Sequence, residues 1–140
     1  MTAAAGADPA QVVTDFLEAL AVGDAETAIA LVADDLIYEN VSLPTIRGKQ
    51  RFARGARTMV KRKLGFDVRI HRIAAAGTTV LTERTDTFTI NGADSPVAVM
   101  GSFDLRDGKI VAWRDYFDMG LITKMMSGEA VDPAVLPVFG

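Results

Sequence analysis

The spacing of hydrophobic residues changes from a helical to a strand period about halfway along the chain. In the first half, apolar side chains recur every three or four positions, which is typical of amphipathic helices. One helix is predicted to begin at Pro9, a short second one follows Asp24, and a third runs from about Lys49 to Lys63. A short extended segment, Leu36 to Asn40, separates the second helix from the third.

From Phe66 onward, hydrophobic and polar residues alternate, as they do in strands that are buried on one face. Four long strands are predicted, and Asn91-Gly92 and Asp107-Gly108 are typical hairpin turns. Helices that precede such an antiparallel-rich sheet predict an α+β domain. With 140 residues the chain has the length of a single domain. We expect an N-terminal tail over 1–8, a folded domain over 9–125 and a C-terminal tail over 126–140.

Composition narrows the classes of protein to which the chain can belong. The formal net charge of −3 argues against a domain that binds nucleic acid through its overall charge. The absence of cysteine excludes disulfides, thiolate chemistry and cysteine-ligated zinc. No segment approaches the roughly 20 apolar residues that span a bilayer. Residues 1–8 lack the basic segment and apolar run of a signal peptide, so we expect a cytoplasmic protein without membrane insertion.

Two predicted strands carry charged side chains on the face that should be buried. Along the strand that starts at Val80, Arg84 and Asp86 share a face with Phe88. In the last strand, Asp115 shares its face with Val111, Trp113 and Phe117. An unpaired ion in an apolar interior costs several kcal/mol. These three charges must therefore either pair with one another structurally or form a reaction site.

The residues alone leave both interpretations of Arg84, Asp86 and Asp115 open. Periodicity by itself favours a structural ion-pair triad or a solvated strand face. Alternatively, the planar guanidinium of Arg84 could hold both carboxylates at once. Two carboxylates close together in low dielectric cannot both ionise at little cost, so one keeps a proton. Such a pair supplies an acid and a base at neutral pH.

Tyr38 and Asn40 point to the same side of the short extended segment. Both side chains can donate and accept hydrogen bonds, so together they could hold one water molecule. Taken alone, they are better explained as turn chemistry before Pro44. Their interest lies in combination with the charged strands.

The third helix is rich in lysine and arginine, which could form a patch for nucleic acid or anionic lipid. A solvated helix face is the better interpretation, because the aromatic residues that stack on single-stranded bases are missing. A metal site would need a carboxylate cluster, and Arg84 inside the cluster argues against one. We therefore expect no metal and no nucleic-acid partner.

Three motifs taken together resemble the limonene-1,2-epoxide hydrolase family. They are Tyr38-Glu39-Asn40, Glu83-Arg84-Thr85-Asp86 and the run from Asp107 to Asp118, and the resemblance covers roughly residues 9 to 122. It implies a cone-shaped fold of the nuclear transport factor 2-like type. In this fold a curved mixed β-sheet packs against three to four helices around one deep apolar pocket. The resemblance also implies a homodimer and no cofactor.

The resemblance further implies a role for five residues. Asp115 would be the general base, and Tyr38 and Asn40 would help it position a water molecule. Asp86 would be the general acid, and Arg84 would bridge the two carboxylates. By strand face and neighbourhood, the candidate substrate-binding residues are Met59, Phe88, Val97, Val99, Trp113 and Phe117. The expected reaction is the one-step addition of water to a lipophilic terpene, fatty-acyl or sterol epoxide, giving a vicinal diol.

Two other functions fit the same fold. An isomerase or cyclase that moves a proton beside a carbonyl also needs an acid and a base in an apolar pocket. It does not need the Tyr38, Asn40 and Asp115 group that holds water. A non-catalytic protein that binds a hydrophobic small molecule would explain the pocket, but not two opposed carboxylates around Arg84.

Overall fold

The computed structural model describes residues 7–139, so the expected N-terminal tail lies outside the described residues except for Ala7 and Asp8. Within this range, helices α1 to α4 span Pro9–Ala21, Ala25–Ala30, Lys49–Lys61 and Met119–Met126. Strands β1 to β6 span Val32–Asn40, Ile46–Arg47, Gly65–Ala76, Thr79–Ile90, Ala93–Arg106 and Lys109–Tyr116. Beyond α4 the chain makes one 3-10 turn, Pro133–Val135. No helix among residues 7–139 is both long and apolar enough to cross a membrane.

The six strands form one sheet in the order β2-β1-β6-β5-β4-β3. The pair β1 and β6 is parallel, and the other neighbouring pairs are antiparallel. Both predicted hairpins are present, and Asn91 and Asp107 adopt the positive φ of 52° that such tight turns require. The α+β class and the mixed sheet are therefore confirmed.

Two short stretches near the second helix differ from the prediction. Strand β1 begins at Val32 rather than Leu36, and β2 was not predicted. The polar pair Asp34 and Asp35 interrupts the alternation, and both are exposed between buried residues. The register with β6 shifts over the same stretch, so the pattern does not repeat every two residues there. Strand β2 has two residues, too few for a period to show.

The last strand differs from the prediction in the assignment of Val111 to the buried face. Ile110 and Ala112 are buried instead, and Val111 is only partly so. The register between β5 and β6 shifts at this point and leaves Val111 without a partner. A bulge of this kind reverses the alternation before it and leaves the residues after it in phase. Asp115 is therefore buried as predicted.

The core that joins the helices to the sheet is built from aromatic side chains. Phe16 of α1 packs edge-on to Trp113 of β6, with ring centroids 5.1 Å apart. The same ring contacts Phe52 of α3 at 5.8 Å and Phe103 of β5 at 6.5 Å. Burying a large apolar side chain stabilises a fold by about 1.5–3 kcal/mol. These contacts fix α1 and α3 against one face of β5 and β6.

Candidate active site

Arg84 extends from the buried face of β4, and its five guanidinium N–H groups all donate to protein side chains. Its Nε and Nη2 donate to Oδ1 and Oδ2 of Asp86 at 3.1 and 2.7 Å. Its Nη1 and Nη2 donate to Oδ1 and Oδ2 of Asp115 at 3.0 and 2.8 Å. The remaining hydrogen bond runs from Nη1 to Oγ1 of Thr82 at 3.2 Å. The structure thus brings together the three charged residues that the strand pattern singled out.

The guanidinium must cross strand β5 to reach Asp115, because β5 lies between β4 and β6. Neighbouring strands lie about 4.8 Å apart, so the side chain spans two such steps. At the crossing point Gly101 of β5 pairs with Thr82 on one side and Asp115 on the other. A Cβ placed on Gly101 would overlap Nη1 of Arg84 and lie 2.8 Å from Oδ1 of Asp115. The site therefore needs a residue without a side chain at position 101.

The indole of Trp113 holds two of the predicted site residues. Its Nε1 donates a 2.8 Å hydrogen bond to Oδ1 of Asp115, two residues along β6. Its ring stacks on Tyr38 with centroids 4.1 Å apart and planes inclined by 13°. Strand β1 runs parallel to β6 here, and Tyr38 pairs with Trp113 while Asn40 pairs with Asp115. Parallel pairing therefore sets the Tyr38–Asn40 segment beside the carboxylate.

Tyr38 and Asn40 are joined to each other by a hydrogen bond. The Tyr38 hydroxyl donates to Oδ1 of Asn40 at 3.2 Å. Burial, followed by the nearby charge of Asp115, raises the pKa of Tyr38 well above its usual range. The phenol therefore stays protonated, and its oxygen lone pairs remain available to accept a hydrogen bond.

Burial and the neighbouring guanidinium act in opposite directions on the pKa of Asp86. Burial raises the pKa of Asp86 and outweighs the Arg84 hydrogen bonds that act to lower it. Burial alone would lower the pKa of Arg84, but its hydrogen bonds to Asp86 and Asp115 hold that pKa above its usual range. The guanidinium is therefore a permanent cation. Asp86 is the carboxyl for which the structure favours the protonated form.

A pocket of about 830 Å³ opens between the helices and the inner face of the sheet. Asp86 and Asp115 lie on its wall together with Tyr38 and Asn40, and Arg84 lies behind them. All the substrate-binding candidates line it: Met59, Phe88, Val97, Val99, Trp113 and Phe117. Several lining residues were not predicted from the sequence: Leu20, Phe52, Phe66, Ile122 and Met125. All but one come from helices, whose orientation toward the sheet is set by packing and leaves no local signal.

Gly101 was missed, and Trp113 was predicted to bind substrate but not to hold Asp115. Alternation along β5 puts Gly101 on the same face as Val97 and Val99, yet nothing in its sequence neighbourhood indicates a role. The hydrogen bond from Trp113 to Asp115 joins residues two apart on one strand face, so the sequence did contain its signal. The need for a glycine at position 101 becomes visible only when the register of β4, β5 and β6 is known.

Both the sequence and the structure of this chain are similar to those of known proteins. A family model of the limonene-1,2-epoxide hydrolase catalytic domain matches residues 7–128. The protein Epoxide hydrolase EphG of Mycobacterium tuberculosis is 49% identical over 104 residues, which are 74% of this chain and 69% of that protein. The solved structure of an LEH-like epoxide hydrolase from M. tuberculosis gives a TM-score of 0.78 at 43% identity, covering 86% of this chain and 90% of that one.

A more distant likeness concerns the fold alone. An NTF2-like protein of unknown function from Cytophaga hutchinsonii gives a TM-score of 0.68 at 19% identity, over 83% of this chain and 95% of that chain. The six-stranded mixed sheet and its helices thus form a nuclear transport factor 2-like fold. The family match runs from the first helix through α4 and includes the motifs around Tyr38, Arg84 and Asp115. The chain belongs to the limonene-1,2-epoxide hydrolase family.

Proposed function

We propose that this protein hydrolyses a lipophilic epoxide to a vicinal diol in one step, with one carboxylate as base and the other as acid. The observation that carries the proposal is the position of Asp86 and Asp115, which are held by one guanidinium on the wall of a largely apolar pocket. Membership of the family supports an epoxide as the substrate. The volume of about 830 Å³ lies within the range of small-molecule sites.

Asp115 is the residue placed to act as base. Its Oδ1 already accepts hydrogen bonds from Trp113 and Arg84, whereas Oδ2 accepts one from Arg84. Oδ2 thus keeps a lone pair with which to take a proton from water. The Tyr38 hydroxyl gives its hydrogen to Asn40, so its oxygen can accept the other water hydrogen. The water oxygen is then left free to attack a carbon of the oxirane.

Asp86 is the residue placed to act as acid. Its raised pKa favours the neutral carboxyl, which gives its proton to the oxirane oxygen as the carbon–oxygen bond breaks. One C–O bond forms and one breaks, while Asp115 gains a proton and Asp86 loses one. The starting protonation is restored when Asp115 releases its proton and Asp86 takes one up, while Nη2 of Arg84 stays hydrogen-bonded to Oδ2 of both carboxyl groups. Each positioned proton transfer contributes about 10²–10⁴-fold to the rate.

The hydrogen-bonded pair of Tyr38 and Asn40 separates this function from the isomerase and cyclase alternative. A proton shuttle beside a carbonyl has no need of a group that holds water. Here the pair adjoins Asp115 through the parallel strands β1 and β6. Their position beside the base supports hydrolysis.

We further propose that the protein forms a homodimer through the outer face of the sheet. Met100 and Tyr116 are direct cross-strand neighbours on this face and are 48% and 49% exposed. Leu81 of β4 lies diagonally from Met100 and is 48% exposed. Clustered exposed apolar side chains of this kind are typical of protein–protein interfaces.

Replacing either carboxylate should remove most of the activity. Asp86→Asn and Asp115→Asn should each lower kcat by about 10²-fold or more, because each loses one proton transfer. Diol formation from a panel of lipophilic epoxides measures the loss, and thermal unfolding verifies that the variants fold. Asp34→Asn is the matched control, since Asp34 is exposed on β1. Full activity in either site variant would contradict the assignment.

The same reaction run in water labelled with heavy oxygen tests whether it proceeds in one step. In a single turnover the label should enter the diol and neither aspartate, because water attacks the oxirane directly. Mass spectrometry of the peptides that contain Asp86 and Asp115 reads the outcome. Label in either side chain would show a covalent ester and would overturn the proposed mechanism.

The protonation of Asp86 can be tested through stability rather than activity. A raised pKa means that the folded protein holds a proton that the unfolded chain releases above the usual value of 3.8. The contribution of this proton to stability is lost as pH rises through the raised pKa. The wild type should therefore lose free energy of unfolding relative to Asp86→Asn as pH rises, measured by urea unfolding at several pH values. A simple ion pair with Arg84 would lower the pKa and give the opposite trend.

Gly101→Ala should damage the site while leaving Arg84, Asp86 and Asp115 unsubstituted. The added methyl displaces Nη1 of Arg84, so we expect activity to fall at least about tenfold and the free energy of unfolding to fall by about 1–3 kcal/mol. Steady-state kinetics and urea unfolding measure both. Gly55→Ala is the control for stability, because a Cβ there meets nothing within 4 Å. Unchanged kinetics in Gly101→Ala would show that activity does not require the Arg84 guanidinium to cross β5 in its present position.

The dimer proposal predicts a change of mass in solution. The wild type should sediment as a dimer, and Met100→Arg should sediment as a monomer because it places a charge in the apolar contact. Met126→Arg is the control, since Met126 is 74% exposed and belongs to helix α4 rather than to a strand. A monomeric wild type at micromolar concentration would rule out this interface.

A further inference from the structure

The rim of the pocket is apolar and cationic. Exposed apolar side chains line it, namely Val22, Leu43, Val60 and Leu64. Among residues 7–139, four charged side chains line the pocket: Arg51, Lys63, Asp86 and Asp115. The two aspartates are buried and bound by Arg84, whereas Arg51 and Lys63 are exposed. Among the described residues that line the pocket, the exposed charges are therefore both positive.

The two rim cations lie on the pocket side of α3 and of the turn that follows it. Arg51 lies on α3 together with Gly55 and Met59, Lys63 lies two residues beyond the end of the helix, and all four line the pocket. The cations of the helix that line a separate groove beside α2 are Lys49, Arg54, Arg57 and Lys61. Neither Arg51 nor Lys63 forms a salt bridge within the described residues. Both are thus available to an anion at the entrance.

Strand register places the Lys63 end of the rim well away from the reacting groups. Asp86 and Thr89 are three residues apart on β4, which corresponds to about 10 Å. Thr89 pairs with Gly65, two residues after Lys63. The pocket wall between them is hydrocarbon, including the packed rings of Phe66 and Phe88. A substrate that spans this distance has its oxirane several carbons from the group at the rim.

We propose that the pocket takes an amphiphilic epoxide with an anionic head, such as a long-chain fatty acid epoxidised in mid-chain. The chain lies in the pocket with its oxirane between Asp86 and Asp115, and its carboxylate is held in water by the cationic rim of Arg51 and Lys63. The aliphatic stem of a rim lysine or arginine covers the chain while its charge faces the head group. This assignment rests on the proposed epoxide hydrolase function.

The test compares two substrates that differ only in charge, a mid-chain epoxide of a long-chain fatty acid and its methyl ester. The wild type should show a KM for the acid roughly two- to fivefold lower per rim cation, because exposed ion pairs are weak. The kcat should be the same for both, since the head group does not touch the reacting atoms. High salt should shrink the preference.

The double variant Arg51→Gln, Lys63→Gln should lose the preference for the acid, so that its KM for the acid becomes equal to its KM for the ester. The matched double variant Arg54→Gln, Lys61→Gln removes the same charge from the other side of α3 and should keep the preference. A wild type that treats acid and ester alike would overturn the proposal. A preference that survives loss of both rim cations would do the same.

A binding measurement separates this proposal from the hydrolase function. Asp115→Asn should bind an unreactive saturated fatty acid more tightly than its alcohol, and removal of both rim cations should abolish the difference. If no epoxide is hydrolysed but this difference is present, the hydrolase function fails and the rim assignment stands. Cosedimentation with anionic phospholipid vesicles that depends on Arg51 and Lys63, without preference for the free acid, would assign the rim to a membrane surface instead and overturn the proposal.

Discussion

The site depends on one buried cation shared by two buried carboxylates. Arg84 has all five of its N–H groups occupied, so its charge can neither leave nor turn toward solvent. With both aspartates ionised, the cluster would carry one uncompensated negative charge in a low-dielectric interior. A proton on one carboxyl makes the cluster neutral. Burial raises the pKa of Asp86, so in the proposed mechanism this carboxyl keeps the proton and acts as the acid.

This arrangement places demands on the sheet around it. Arg84 can reach Asp115 only if the strand between them presents no side chain at the crossing, and Gly101 provides that opening. The parallel pairing of β1 with β6 then brings Tyr38 and Asn40 beside Asp115. Trp113 connects this polar network to the aromatic core, since its ring packs on Phe16 while its Nε1 donates to Asp115. The position of the Asp115 carboxylate therefore follows from the packing of the core.

The sequence predicted what depends on local alternation and missed what depends on register between strands. Arg84 and Asp86 share one face of one strand, so their burial could be inferred from a period of two. Their proximity to Asp115 came from family resemblance, because alternation cannot tell which strands become neighbours. The bulge at Val111 and the role of Gly101 both require the pairing of β5 with its neighbours. The two-residue strand β2 contains no period at all.

The distribution of charged side chains within the pocket cannot be seen in the net charge of the chain. The net charge is −3, yet no acidic residue occurs between Lys49 and Lys63. From the sequence alone, a solvated helix face is a sufficient explanation of these cations, because the sequence does not show which of them face the pocket. In the structure its cations divide between a groove beside α2 and the entrance of the pocket. At the inner end of the pocket both carboxyl groups are bound by Arg84, whereas at the outer end the exposed lining charges, Arg51 and Lys63, are both positive. An uncharged hydrophobic substrate would use the carboxyl groups at the inner end and leave the cations at the entrance without a function. An anionic amphiphile uses both.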